Sequence, residues 1–149
     1  MPRDYKNIKK QYADKGFSAN VMSFITDMHR QYRLASLVIC RSGATTIAEI
    51  TAAGRVSALI PFPYATNNHQ EHNARIIEAA NAGEVILDSE ISGERLAKSI
   101  IRAMDEPENL QKMEDNSYQL GSRDATQKVR KICEDLMKNK SNKSKIPCK

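Results

Sequence analysis

The segment CRSGATTIAEI at positions 40–50 sets a glycine, hydroxyl residues and an acid in an order that suits a phosphorylated, hydroxyl-bearing ligand. Gly43 lets a ligand approach the backbone closely, and Ser42 and Thr46 can add hydroxyl donors. A helix beginning near Thr45 would point its free N–H groups, and the positive end of its dipole, at one spot. Such a spot binds phosphate well. Glu49 then admits two readings. Thr46 and Glu49, three apart, fit a capping box, in which the carboxylate only satisfies a backbone N–H. Alternatively Glu49 sits one turn inside the helix and accepts hydrogen bonds from both hydroxyls of a ribose, as an acid near a phosphate-binding turn does in nucleotide sites. The residues alone leave both open.

A second segment, PFPYATNNHQEHNAR at 61–75, is rich in Asn, Gln and His, which donate to and accept from sugar hydroxyls alike. The bland alternative is a polar turn with Asn67 or Asn68 capping the next helix. His69 and His72 lie three apart with no Cys or carboxylate cluster to complete a ligand set, so no metal site is read here.

The elements that must position these segments follow from short apolar runs alternating with amphipathic stretches, the signature of βαβ units and a parallel sheet. Helices are expected over 4–15, 45–53 and 70–82, the last two stopped by Gly54 and Gly83. Strands are expected over 20–25, 37–40 (LVIC), 56–60 and 84–87. Ser92 is expected to cap a helix with Leu96, Ile100 and Met104 on its apolar face. Two further helices are expected near 107–119 and 125–138, the second turning Val129, Ile132 and Leu136 into the core. In open α/β sheets ligands lie beyond the carboxyl ends of the strands, so both polar segments should flank one pocket.

The chain is long enough for one domain at 149 residues, and its 40% hydrophobic and 28% charged content is that of a globular protein. No apolar run approaches the roughly 20 residues that span a bilayer, and no secretory leader is read at the amino terminus, so a cytoplasmic location is expected. The net charge of +5 is concentrated in the lysine-rich, acid-free stretch 138–149. That stretch reads as a disordered basic tail, able at most to make weak contact with an acidic membrane surface. No nucleic-acid partner is expected, since no recognisable motif or aromatic interleaving accompanies the charge.

Together, CRSGATTIAEITAAG and IPFPYATNNHQEHNAR resemble the carboxy-terminal domain of the MurG-type glycosyltransferases, from about residue 20 to 104 and more loosely to 138. Those enzymes move N-acetylglucosamine from UDP to a lipid-linked muramyl-pentapeptide, forming the peptidoglycan precursor lipid II. The resemblance implies a Rossmann-like parallel sheet, the carboxy-terminal half of a GT-B fold lacking its first strands. It implies a partial UDP-sugar-binding domain over 1–138 and a tail over 139–149. Phe24 and Ile25 correspond to the loop whose backbone recognises uracil. Arg41, Ser42 and Gly43 correspond to the turn beside the diphosphate, and Ala44, Thr45 and Thr46 to the helix start facing it. Glu49 corresponds to the ribose acid, His69 and Gln70 to the sugar-contacting pair, and Asn73 to a further position of the motif. Ser36, Arg55-Val56 and Asn67 depart from the family's usual residues. No cofactor or metal is implied. The catalytic base, the lipid acceptor and the membrane-facing surface belong to an amino-terminal domain with no counterpart in these residues. The expectation is a chain inactive alone: a fragment, a subunit of a split transferase, or a non-catalytic UDP-sugar-binding module. In the full enzyme it would sit on the cytoplasmic face of the inner membrane. Without its neighbours, the strand over 20–25 would be unpartnered and LVIC would carry a free edge.

Overall fold

The computed structural model describes residues 4–143, with side chains to 138. The chain divides between Gln31 and Tyr32 into two compact units.

In the first unit, α1 (Tyr5–Asp14) buries no residue, and Gly16 takes the left-handed conformation just past its end. The expected strand over 20–25 does not form: the segment pairs with no strand and Phe24 is 79% exposed. An extended segment needs a neighbour to complete its backbone hydrogen bonds, and none is present among the described residues. Helix α2 (Met28–Leu34) crosses the division and begins with the Arg30 amide donating to Asp27 Oδ1 at 3.3 Å.

The second unit is α/β. Strands β1 (Leu37–Cys40), β2 (Val56–Leu59) and β3 (Gly83–Val85) form a parallel sheet in the order β1-β2-β3. Cys40 lies opposite Leu59, which in turn lies opposite Val85. Every residue of β2 is buried, as a central strand covered on both faces requires. Its side chains alternate between two cores. Leu59 packs with Ala74, Ile77, Ala82 and Val85, joined by Cys40 and Ile47. Ala58 packs with Ile60 and Ile86, joined by Leu37 and Leu96. Each fully buried Leu or Ile contributes about 1.5–3 kcal/mol. Among the described residues, β1 and β3 are the two edges of the sheet.

Between the strands, α3 (Ala44–Ala53) ends at Gly54, whose φ of 64° closes the helix as expected. Helix α4 (His69–Ala79) ends differently. Asn81, at φ 51°, makes the left-handed turn, and Gly83 opens β3 instead. Gly83 is set by close approach, because a Cβ there would collide with the Ser57 carbonyl oxygen on β2. Ser92 caps α5 (Gly93–Asp105) as expected, accepting from the Arg95 amide at 3.0 Å. Helix α6 (Pro107–Leu120) is tied to the start of β2 by Arg55–Glu114 at 2.6 Å and by Ser117 Oγ donating to the Arg55 carbonyl at 2.9 Å.

Two apolar stripes read as core are solvent-facing. On α5, Leu96 packs inward but Ile100 and Met104 are exposed, Met104 at 73%. On α7 (Ala125–Lys143), Val129, Ile132 and Leu136 are all about 60% exposed. Helical spacing establishes that a helix has an apolar side, and not what covers it. Helix α7 also runs to Lys143, into the stretch read as a disordered tail; 144–149 lie outside the described residues. Among the described residues no helix is long and apolar enough to cross a membrane.

Candidate functional site

The parallel register brings the carboxyl ends of all three strands to one rim, where the turn 41–43, the loop 61–68 and the residues after β3 meet. Arg41 ties them together. Its Nη1 donates to the Pro61 carbonyl at 2.9 Å and to Asp88 Oδ1 at 2.7 Å, and its guanidinium lies 5.6 Å from the Phe62 ring centre. Asp88, the residue that closes this tie, carries one signal sequence reading had not used: it directly follows the last apolar run, EVIL.

Ser42 is fully buried. Its Oγ donates to the Gln70 carbonyl at 2.8 Å, and its own carbonyl accepts from Asn73 Nδ2 at 3.3 Å. Gln70 Oε1 accepts the Phe62 amide at 3.0 Å, which leaves the Nε2 hydrogens as its remaining donors. Ser42, Gln70 and Asn73 therefore lace the first polar segment to the second, a structural task the sequence did not reveal. Ser42→Ala is expected to cost about 1–2 kcal/mol of unfolding free energy, the range for losing a partner to a buried polar group; urea unfolding of the variant checks this.

Gly43 precedes α3 at φ −65°, ψ 146°, a conformation open to any residue, so its value lies in the missing side chain. A Cβ there would meet only Thr46 Oγ1, at 3.8 Å, and the approach to the helix end is clear. No side chain caps α3, and its first intrahelical bond runs from Ile47 to the Gly43 carbonyl at 3.0 Å. The amides of Ala44, Thr45 and Thr46 are thus the free donors of this helix end, with the positive dipole end behind them. Ala44 and Thr45 are exposed and Thr46 half-buried.

The capping-box reading of Thr46 and Glu49 is overturned. Thr46 lies inside the helix, beyond Ala44 and Thr45, and cannot be its N-cap. Glu49 is exposed on the same face as Thr45 and Thr46, being four and three residues on. Its carboxylate accepts the Tyr32 hydroxyl at 3.1 Å, a contact that no spacing rule signals. Burial, and then Glu49 itself, push the Tyr32 phenol up to about 12.

His69 opens α4, exposed to solvent. Its Nδ1 lies 2.7 Å from the Thr66 carbonyl, which can only accept, so Nδ1 carries the hydrogen. The neutral ring then offers Nε2 as an acceptor. Asn67 and Asn68 both take left-handed φ of 52°; Asn68 stands at the N-cap of α4, as the polar-turn reading places it, but its side chain makes no capping hydrogen bond. Phe24 and Ile25 belong to the first unit, Phe24 exposed and Ile25 half-buried.

With this geometry in hand, comparison with known proteins gives a consistent result. Residues 2–136 match the family model described as the glycosyltransferase family 28 C-terminal domain. The UDP-N-acetylglucosamine--N-acetylmuramyl-(pentapeptide) pyrophosphoryl-undecaprenol N-acetylglucosamine transferase of Myxococcus xanthus is 45% identical over 134 residues, covering 90% of this chain and 35% of that protein. The like-named protein of Thermodesulfovibrio yellowstonii is 45% identical over 137 residues, covering 92% of this chain and 37% of that protein. The crystal structure of Acinetobacter baumannii MurG superposes with a TM-score of 0.80 at 28% identity, over 90% of this chain and 39% of the MurG chain. The chain thus spans little more than a third of the relatives' length.

Proposed function

The chain belongs to the family of the glycosyltransferase family 28 C-terminal domain, and from that premise we propose that it holds the UDP-N-acetylglucosamine donor of an inverting N-acetylglucosaminyl transfer. The observation that carries this reading is one face of α3: free amides at Ala44–Thr46, and an exposed carboxylate, Glu49, one turn further in. The diphosphate rests against those amides, with the Ser42–Gly43 turn beside it. Glu49 accepts the two ribose hydroxyls. Gln70 donates through Nε2 and His69 accepts through Nε2 at the sugar, and Asn73 holds the turn in place.

As the glycosidic bond breaks, negative charge grows on the departing diphosphate. The helix dipole and the amides of Ala44, Thr45 and Thr46 stabilise that charge where it develops. Arg41 adds a guanidinium held near the same rim. The acceptor is a lipid-linked N-acetylmuramyl-pentapeptide, as in the relatives' names, and none of the donor-site residues named here is assigned the binding of that lipid or the role of catalytic base. A lipid-linked acceptor calls for a reaction at a membrane surface, and a nucleotide-sugar donor fits the cytoplasmic face.

Calorimetric titration of the purified chain with UDP-N-acetylglucosamine, against UDP-glucose, tests the reading. The expected result is saturable one-to-one binding, tighter for the N-acetylated sugar. A folded chain that binds neither nucleotide sugar would contradict it.

A further inference from the structure

Tyr32, just before β1, has no place in the binding scheme above, yet its geometry is suggestive. It is 5% exposed, so its phenol cannot reach a ligand. Its hydroxyl is directed at Glu49 Oε2, 3.1 Å away, on a side chain that is itself exposed. The pairing is therefore asymmetric: a buried donor holds one oxygen of a carboxylate on an exposed residue. An ionised carboxylate has about four acceptor positions. One is occupied by Tyr32, which leaves Oε1 and the second lone pair of Oε2 for incoming donors.

We propose that Tyr32 is a positioning residue of the nucleotide site, fixing the Glu49 carboxylate so that the two adjacent ribose hydroxyls meet two acceptors already in place. The inference rests on the reading of Glu49 as the ribose acceptor. A glutamate on an exposed helix face samples several rotamers, and a ligand that selects one must bear the ordering cost. A hydrogen bond from a buried ring removes part of that cost before the ligand arrives. The phenol remains protonated across the working pH range, since burial and Glu49 raise it to about 12.

Tyr32→Phe removes the hydroxyl and keeps the ring. UDP and 2′,3′-dideoxy-UDP are titrated into the wild-type chain, Tyr32→Phe, Glu49→Ala and the double variant, each first checked for an intact thermal transition. Tyr32→Phe is expected to weaken UDP about three- to tenfold, the range for losing the pre-ordering of one side chain. It should leave dideoxy-UDP unchanged and add no further loss in the Glu49→Ala background. Equal losses for both nucleotides would mark a purely structural tie and overturn the proposal. Weakened binding by Glu49→Ala with wild-type behaviour in Tyr32→Phe would overturn it while sparing the ribose reading. Unchanged binding in Glu49→Ala would remove both.

Discussion

Glu49→Ala should bind UDP-N-acetylglucosamine about 10- to 100-fold more weakly than the wild type, from the roughly 1.5–3 kcal/mol that hydrogen bonds to a charged group contribute. The expectation is sharp because the structure removes the competing role for this residue. Thr46 lies within α3 and the helix is capped by no side chain, so Glu49 completes no capping box whose loss would unfold the helix. Alanine is also the best helix former at an interior position. The remaining structural cost is the Tyr32 hydroxyl, which loses its acceptor, worth about 1 kcal/mol of stability. Affinity measured by calorimetry on a variant that still melts cooperatively separates the two effects. Undiminished affinity in a folded variant would remove Glu49 from the nucleotide site.

Gly83→Ala should lower the unfolding free energy by about 3 kcal/mol, at the upper end of the usual cost of overpacking. The added Cβ collides with the Ser57 carbonyl oxygen, and would stand 2.8 Å from Ser57 Oγ and 3.0 Å from Ile77 Cγ2. The hydroxyl can rotate and the methyl can shift. The carbonyl cannot, because Ser57 pairs with Gly83 itself and with Val38 on the other side, at the centre of the sheet. Relief therefore requires parting β2 from β3 below the strand ends that carry Arg41, Phe62 and Asp88. Gly93→Ala is the internal control. A Cβ there meets nothing within 4 Å, and its urea midpoint should be no lower than that of the wild type, because alanine there only restricts the unfolded chain. Equal stability of the Gly83 variant would mean that the β2–β3 approach is looser than described.

The same residues explain how far the sequence could be read. The strand–turn–helix at 37–53 and the loop into α4 were legible because local chemistry determines them: LVIC is a short apolar run, although its edge strand leaves it only half-buried with Ile39 exposed, Gly54 ends a helix, and Ser92 caps one. What failed depended on distant partners. The 20–25 segment has strand-like residues and, among the described residues, no strand to pair with. Val129, Ile132 and Leu136 keep helical spacing, yet spacing carries no information about what packs against it. Gly83 looked like a helix stop because glycine serves there so often; its cause is an approach of Ser57, which is remote in sequence. Within the site, the residue types were legible and their mutual ties were not. Ser42 to Gln70, Asn73 to Ser42 and Tyr32 to Glu49 join positions 17 to 31 residues apart, and no local pattern records such pairs.

If the donor reading holds, a uridine diphosphate lies across the amino end of α3. A crystal structure of the chain grown or soaked with UDP tests it most directly. Diphosphate oxygens are expected on the amides of Ala44–Thr46, and both ribose hydroxyls on the Glu49 carboxylate. UDP lodged instead in the cavity lined by Leu37, Glu84, Arg102 and Met113, between the sheet and helices α5 and α6, would contradict it.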